Sequence, residues 1–204
     1  MTDVVWVLRH GQRQDSVTPD WHEVADRVHD PGLTDHGHWQ ATAAGDRLRE
    51  VGIEEIYASP FLRAVQTADH VAEALDLPVF LEPGLGEHLN AEWFDAFPEI
   101  LSREELAGRF ERVDRDHDPL LEPTFPEGHH DAEQRIGEAA RRVVDGSTAD
   151  RLLLVGHGAT VGGVAAGLVG STEGVDAPLA GLTEIVRDGE GWRLERSGDT
   201  AHLE

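Results

Sequence analysis

A chain of 204 residues, 39% of them hydrophobic, has the size and apolar content for one large domain or a domain carrying an insertion. It has no cysteine, which excludes disulfides and thiolate metal sites, and its net charge of −23 leaves no basic stripe for nucleic acid. All 17 basic residues are arginine, and the acidic excess resembles the proteins of a salt-in halophile, since in molar salt the Debye length falls to about 3 Å and self-repulsion fades.

An acidic protein from a GC-rich genome is the alternative source of that composition. The start Met1-Thr2-Asp3 lacks the basic region of a secretory signal, so the cytoplasm is the expected compartment.

Val4 to Leu8 reads as a buried strand ending in Arg9-His10-Gly11. After the turn-like Asp30-Pro31-Gly32, Ala41, Ala44, Leu48 and Val51 recur at helical spacing. Glu55 to Ala58 is a short strand. Ser59 is then placed as a helix cap with Pro60 at the first position, and Leu62, Val65, Ala68, Ala72 and Leu75 form the buried stripe. Val79 to Leu81 is a further strand.

From about His88 to Gly128 the periodicity loosens, with Trp93, Phe94, Phe97, Phe110 and Phe125 among prolines and charges, and this stretch is expected to be an insertion capping a site. Ile136, Ala140, Val143 and Val144 restore a helix. Leu152 to Gly170 carries no charge, but six glycines and His157 interrupt it, so it parses as strand, turn and small-residue helix rather than as a membrane span. Leu182 to Val186 and Trp192 to Arg196 close the chain as a strand pair around Asp188-Gly189-Glu190-Gly191. This alternation predicts a single domain over residues 1–204, an α/β/α sandwich on a mainly parallel sheet with a cap at about 88–128. Arg9, His10, Glu87 and His157 would then gather at carboxyl ends of strands, where such sheets place their sites.

A neutral histidine can attack phosphorus through one ring nitrogen while the other donates a proton, so His10 is the candidate nucleophile. Arginine forks bind phosphate in pairs and stay charged, which suits Arg9 and Arg63, with His157 as a further donor. Gly11, Gly156 and Gly158 would let the backbone approach the ligand.

Leu8-Arg9-His10-Gly11, Ser59-Pro60-Phe61-Leu62-Arg63-Ala64-Val65-Gln66-Thr67-Ala68 and Val155-Gly156-His157-Gly158 resemble, in order and spacing, the signatures of the histidine phosphatase superfamily, also called phosphoglycerate-mutase-like. Asp30-Pro31-Gly32-Leu33-Thr34, Gly37 and Gln40-Ala41 fit the segment that follows its first strand. The resemblance implies that His10 becomes phosphorylated, that Arg9, Arg63 and His157 hold the phosphoryl group, and that a carboxylate protonates the leaving oxygen. Glu87, after Glu82-Pro83-Gly84-Leu85-Gly86, occupies the place of that acid. Arg13 resembles the branch of phosphatases related to suppressors of T-cell receptor signalling, where this arginine joins the phosphate pocket. Gln12 departs from that branch's glutamate, no ubiquitin-associated or SH3-like module is visible, and a signalling role does not carry over.

The expected activity is that of a metal-independent phosphomonoesterase of the histidine acid phosphatase type. It would act on a phosphorylated small molecule or phosphoprotein and release inorganic phosphate, with no cofactor, nucleic acid or membrane partner. A phosphoglycerate mutase and a silent phosphate-binding module of the same fold are the alternatives, and a homodimer stays open. His22, His29, His36, His38 and His129-His130-Asp131 lack the spacing of a metal site, and Gly156 to Gly163 lacks the order of a dinucleotide loop.

Overall fold

In the computed structural model, which describes residues 1–204, β1 (Val4–Arg9) is buried between two cores because every position is apolar until Arg9. Its side chains alternate: Trp6 and Leu8 enter one core, Val5 and Val7 the other. β4 (Arg151–Gly156) does the same with Leu153 and Val155 against Leu152 and Leu154. With β2 (Glu55–Ala58), β3 (Val79–Leu81), β5 (Leu182–Asp188) and β6 (Gly191–Asp199) they form one sheet in the order β3-β2-β4-β1-β5-β6. The first four strands of that order are parallel, and β5 and β6 join antiparallel. The terminal pair runs further than its apolar residues suggested because β6 is half-exposed and held by backbone pairing.

After a one-turn α1 (Trp21–Val24), α2 (Asp35–Leu48) and α3 (Leu62–Leu75) cover one face of the sheet. α5 (His129–Gly146) and α6 (Gly158–Leu168) cover the other, giving three layers. Thr34 caps α2 by accepting from Gly37 N at 3.0 Å. α3 starts later than expected, at Leu62, and Ser59 is not its cap: Asp30, from a loop distant in sequence, accepts from Leu62 N at 2.7 Å.

The stretch 88–128 divides. Residues near its start, His88, Trp93 and Phe94, border the cavity at the strand ends. Leu101, then Leu106 and Ala107 of α4 (Arg103–Arg109), and Val113 instead enter the main core beside α3, and Val113 bridges to Val79 at the sheet edge. Phe97 lines a separate apolar cavity, and Phe110 packs on the main core. The loose periodicity concealed a second role: this segment finishes the sheet's open edge as well as bordering the site. No helix is long and apolar enough to cross a membrane.

Candidate active site

His10 follows β1 and is 1% exposed. Its Nδ1 lies 2.8 Å from the Gly11 carbonyl, so that nitrogen carries the hydrogen and donates, leaving Nε2 with its lone pair. Burial, and then the nearby Arg63 and His157, push the imidazole's pKa well below the usual histidine range, which keeps the ring neutral. His157, at the junction of β4 and α6, has no exposure; burial lowers its pKa to about 4 against the opposing pull of Glu87. The two rings meet edge to face with centroids 5.3 Å apart.

Arg63 sits in the first turn of α3, 2% exposed, its guanidinium over the Phe61 ring at 4.7 Å. Its Nη2 donates to Glu87 Oε2 at 3.3 Å, while Nε and Nη1 are buried with no partner in the chain. Arg9 Nη1 donates to the Ala177 carbonyl at 2.5 Å, and its Nε is likewise buried and unpaired. Buried guanidinium donors left unpaired are costly unless an anion takes them, and here they converge with a helix N-terminus on one cavity.

Glu87 Oε2 also lies 3.3 Å from His157 Nδ1, an electrostatic approach without hydrogen-bond alignment. Burial alone would raise its carboxyl; the pull of His157 and His10 whenever either ring takes a proton, and the permanent charge of Arg63 throughout, outweigh that and hold it well below the usual carboxylate range. Ligand atoms of His10, Glu87 and His157 all fall within 4.8 Å of one another, close enough to grip a cation. The permanently charged Arg63 beside them opposes a divalent ion and favours an anion.

The expected residues are therefore brought together, with two corrections of role. Gly11 and Gly156 do not open room for a ligand: a side chain at Gly11 would strike the Gly37 carbonyl at 2.6 Å, and one at Gly156 would strike Thr160 Oγ1 at 2.3 Å. Both serve close packing inside the fold. Gly158 does border the cavity, against the Arg9 guanidinium. Arg13 borders it too, but is 36% exposed and paired with Asp15 at 3.0 Å, so part of its charge is engaged. Of the other histidines, His22, His29 and His129 reach the cavity wall, while His36 stacks on Trp39 and His38 bonds His70.

Sequence reasoning missed three supports. Ser59 Oγ lies 2.8 Å from His157 Nε2 and fixes that ring. Thr67 accepts from Gly11 N at 3.2 Å and donates to the Arg63 carbonyl, joining the His10 loop to α3. Thr160 accepts from His157 N at 2.7 Å and donates to the Leu85 carbonyl, tying α6 to the loop before Glu87. The only signal was a hydroxyl inside the Ser59 to Ala68 motif, twice, and one two residues beyond Gly158.

The chain is 28% identical, over an alignment 214 positions long, to a probable phosphoglycerate mutase, GpmB, of Erwinia tasmaniensis, covering 98% of this chain and 94% of that protein. It is 30% identical over 195 residues to human ubiquitin-associated and SH3 domain-containing protein A, covering 77% of this chain and 30% of that longer protein. That relative fits the branch of suppressors of T-cell receptor signalling. Among solved structures, the tungstate complex of the ecdysone phosphate phosphatase of Bombix mori superposes with a TM-score of 0.81 at 22% identity, covering 96% of this chain and 93% of that one. A mycobacterial glucosyl-3-phosphoglycerate phosphatase complexed with VO3 gives 0.68 at 21%, covering 98% and 100%. These structural likenesses establish the fold. The profile of the Histidine phosphatase superfamily (branch 1) matches residues 5–200, and the chain belongs to that superfamily.

Proposed function

We propose that this chain is a phosphomonoesterase working through a phosphohistidine on His10. The observation that carries the reading is the neutral, buried His10, its Nδ1 pinned to the Gly11 carbonyl, beside unpaired Arg63 and Arg9 donors and the Glu87 carboxylate. Structural neighbours whose complexes hold inorganic phosphate, vanadate, tungstate or a phosphate ester support a phosphate-bearing substrate.

His10 Nε2 attacks phosphorus, the bond to the leaving oxygen breaks, and a protonated Glu87 gives that oxygen its proton. Arg9, Arg63 and His157 hold the equatorial oxygens, and the chemistry asks for no metal or cofactor. Water then loses a proton to Glu87 and attacks phosphorus, the P–N bond breaks, and phosphate leaves with His10 neutral and Glu87 protonated again. Glu87 is ionised in the free site, so its first proton arrives with substrate: two added negative charges raise its pKa, or a monoanionic ester carries the proton in.

The cavity, about 790 Å³, favours hydrolysis of a bulky ester over mutase action. Its arginines are Arg9, Arg13 and Arg63, and the charge of Arg13 acts on the other two, so cationic charge is concentrated at the phosphate end. The remaining wall carries Trp21, His29, Trp93 and Phe94, with no arginine for a second anionic group. The resemblance to a probable phosphoglycerate mutase favours the second reading, and one panel separates them: p-nitrophenyl phosphate, a benzylic phosphate and 3-phosphoglycerate, with chelator, in multimolar salt. Faster hydrolysis of the ring esters is expected. Interconversion of phosphoglycerates without net hydrolysis would establish the mutase, and no turnover of any ester would leave the binding module.

A further inference from the structure

Arg135 is a charged residue on the buried stripe of α5, between Ala132 and Ile136 on one side and Ala139 on the other. Its side chain is 7% exposed, and all five of its N–H donors are used. Nε donates to Glu127 Oε2 at 2.9 Å and Nη2 to Glu127 Oε1 at 2.5 Å. The remaining three reach backbone carbonyls of one short stretch: Gly84 at 2.8 Å, Gly86 at 3.3 Å and Glu87 at 2.9 Å. Glu127 completes the clamp by accepting from Leu89 N at 3.0 Å, and its own carbonyl meets His88 Nε2 at 3.1 Å.

The backbone on both sides of Glu87 is thus fastened to a single buried ion pair, while the Glu87 carboxylate itself faces Arg63 and His157. Resting on the reading above, we propose that Arg135, neutralised by Glu127, is the positioning residue that sets where the Glu87 carboxyl meets the leaving oxygen. The guanidinium touches neither the carboxylate nor the phosphate donors. Its loss should therefore harm proton delivery and spare phosphate binding.

The test compares Arg135→Lys and Glu127→Gln with the parent on an alkyl phosphate, which needs the acid, and on 2,4-dinitrophenyl phosphate, whose leaving group does not. Lysine cannot reach three carbonyls and a carboxylate at once, and a displacement near 1 Å costs about 100-fold where geometry governs the step. The expected result is a loss of about 10- to 100-fold in kcat/KM for the alkyl ester, under about threefold for the dinitrophenyl ester, and vanadate inhibition unchanged within about twofold. Glu127→Gln keeps the acceptor for Leu89 and should show a smaller split in the same direction.

Equal losses on both esters, or no loss, would overturn the positioning role while leaving the phosphatase reading intact. Failure of both variants to fold would assign the pair to structure alone. A folded parent that hydrolyses neither ester would overturn the reading and this inference with it.

Discussion

Replacing His157 with glutamine tests the claim that the site holds its histidines neutral. His157 is fully buried, and its pKa falls from 6.5 to about 4, burial being the main cause. In the unfolded chain it titrates near 6.5, so below that pH the unfolded state binds a proton that the folded state refuses. The sign follows: above pH 6.5 His157 contributes nothing to pH dependence, and as pH falls toward about 4 stability is lost at up to about 1.4 kcal/mol per pH unit. By pH 5 the loss is about 2 kcal/mol, nearing about 3 kcal/mol at the folded pKa. Glu87 does not blur this window. Its folded pKa lies well below 4.5, so it is ionised in both states above pH 5, and its contribution is lost only at more acid pH. The assay is urea unfolding of the parent and His157→Gln at fixed high salt from pH 7.5 to 5. The parent should lose about 2 kcal/mol more than the variant across that range. Parallel curves would mean that the folded protein already holds an imidazolium against Glu87, and the neutral-site reasoning would fail.

Binding of phosphate at pH 8 should take up close to one proton, because the dianion restores the Glu87 proton; calorimetry in buffers of different ionisation enthalpy reads this, and zero uptake would contradict it. Ser59→Ala leaves His157 Nε2 buried and unpaired, with an expected cost of about 1–3 kcal/mol in thermal or urea unfolding. Gly167→Ala would set a methyl 2.3 Å from the Gly137 backbone where α5 meets α6 and should cost at least about 1–3 kcal/mol. Gly162→Ala, on the same helix with nothing within 4 Å, should instead be neutral or stabilising by up to about 1 kcal/mol, and equal melting temperatures for the two variants would refute the packing argument.

The sheet and its helices were legible because Val4 to Leu8 and Leu152 to Val155 are unbroken apolar runs and α3 repeats its stripe without interruption. His10, Arg63 and His157 were legible because each sits in a motif at a strand or helix end. What stayed hidden depends on partners far apart in the chain. Asp30 caps a helix 32 residues away, Ser59 bonds a ring 98 residues on, and Arg135 holds a loop about 50 residues earlier. No local pattern encodes such pairs, and Arg135, one position before Ile136, went unread until the structure placed it among the buried residues of α5. The stretch 88–128 was read as one cap because its aromatics lack periodicity; the core positions Leu101, Leu106 and Val113 lie on a loop, the two-turn α4 and a second loop, so no single helical or strand period runs through them.

The proposed chemistry rests on a covalent phosphohistidine at His10. An acid- and alkali-resolved quench of the enzyme turning over a labelled aryl phosphate, with chelator present and His10→Ala alongside, tests it most directly. A phosphohistidine there gives acid-labile, alkali-stable label on the parent that decays at the rate of turnover, with label and turnover both lost in a folded His10→Ala. Turnover that persists in His10→Ala, or label that maps to another residue, would contradict it.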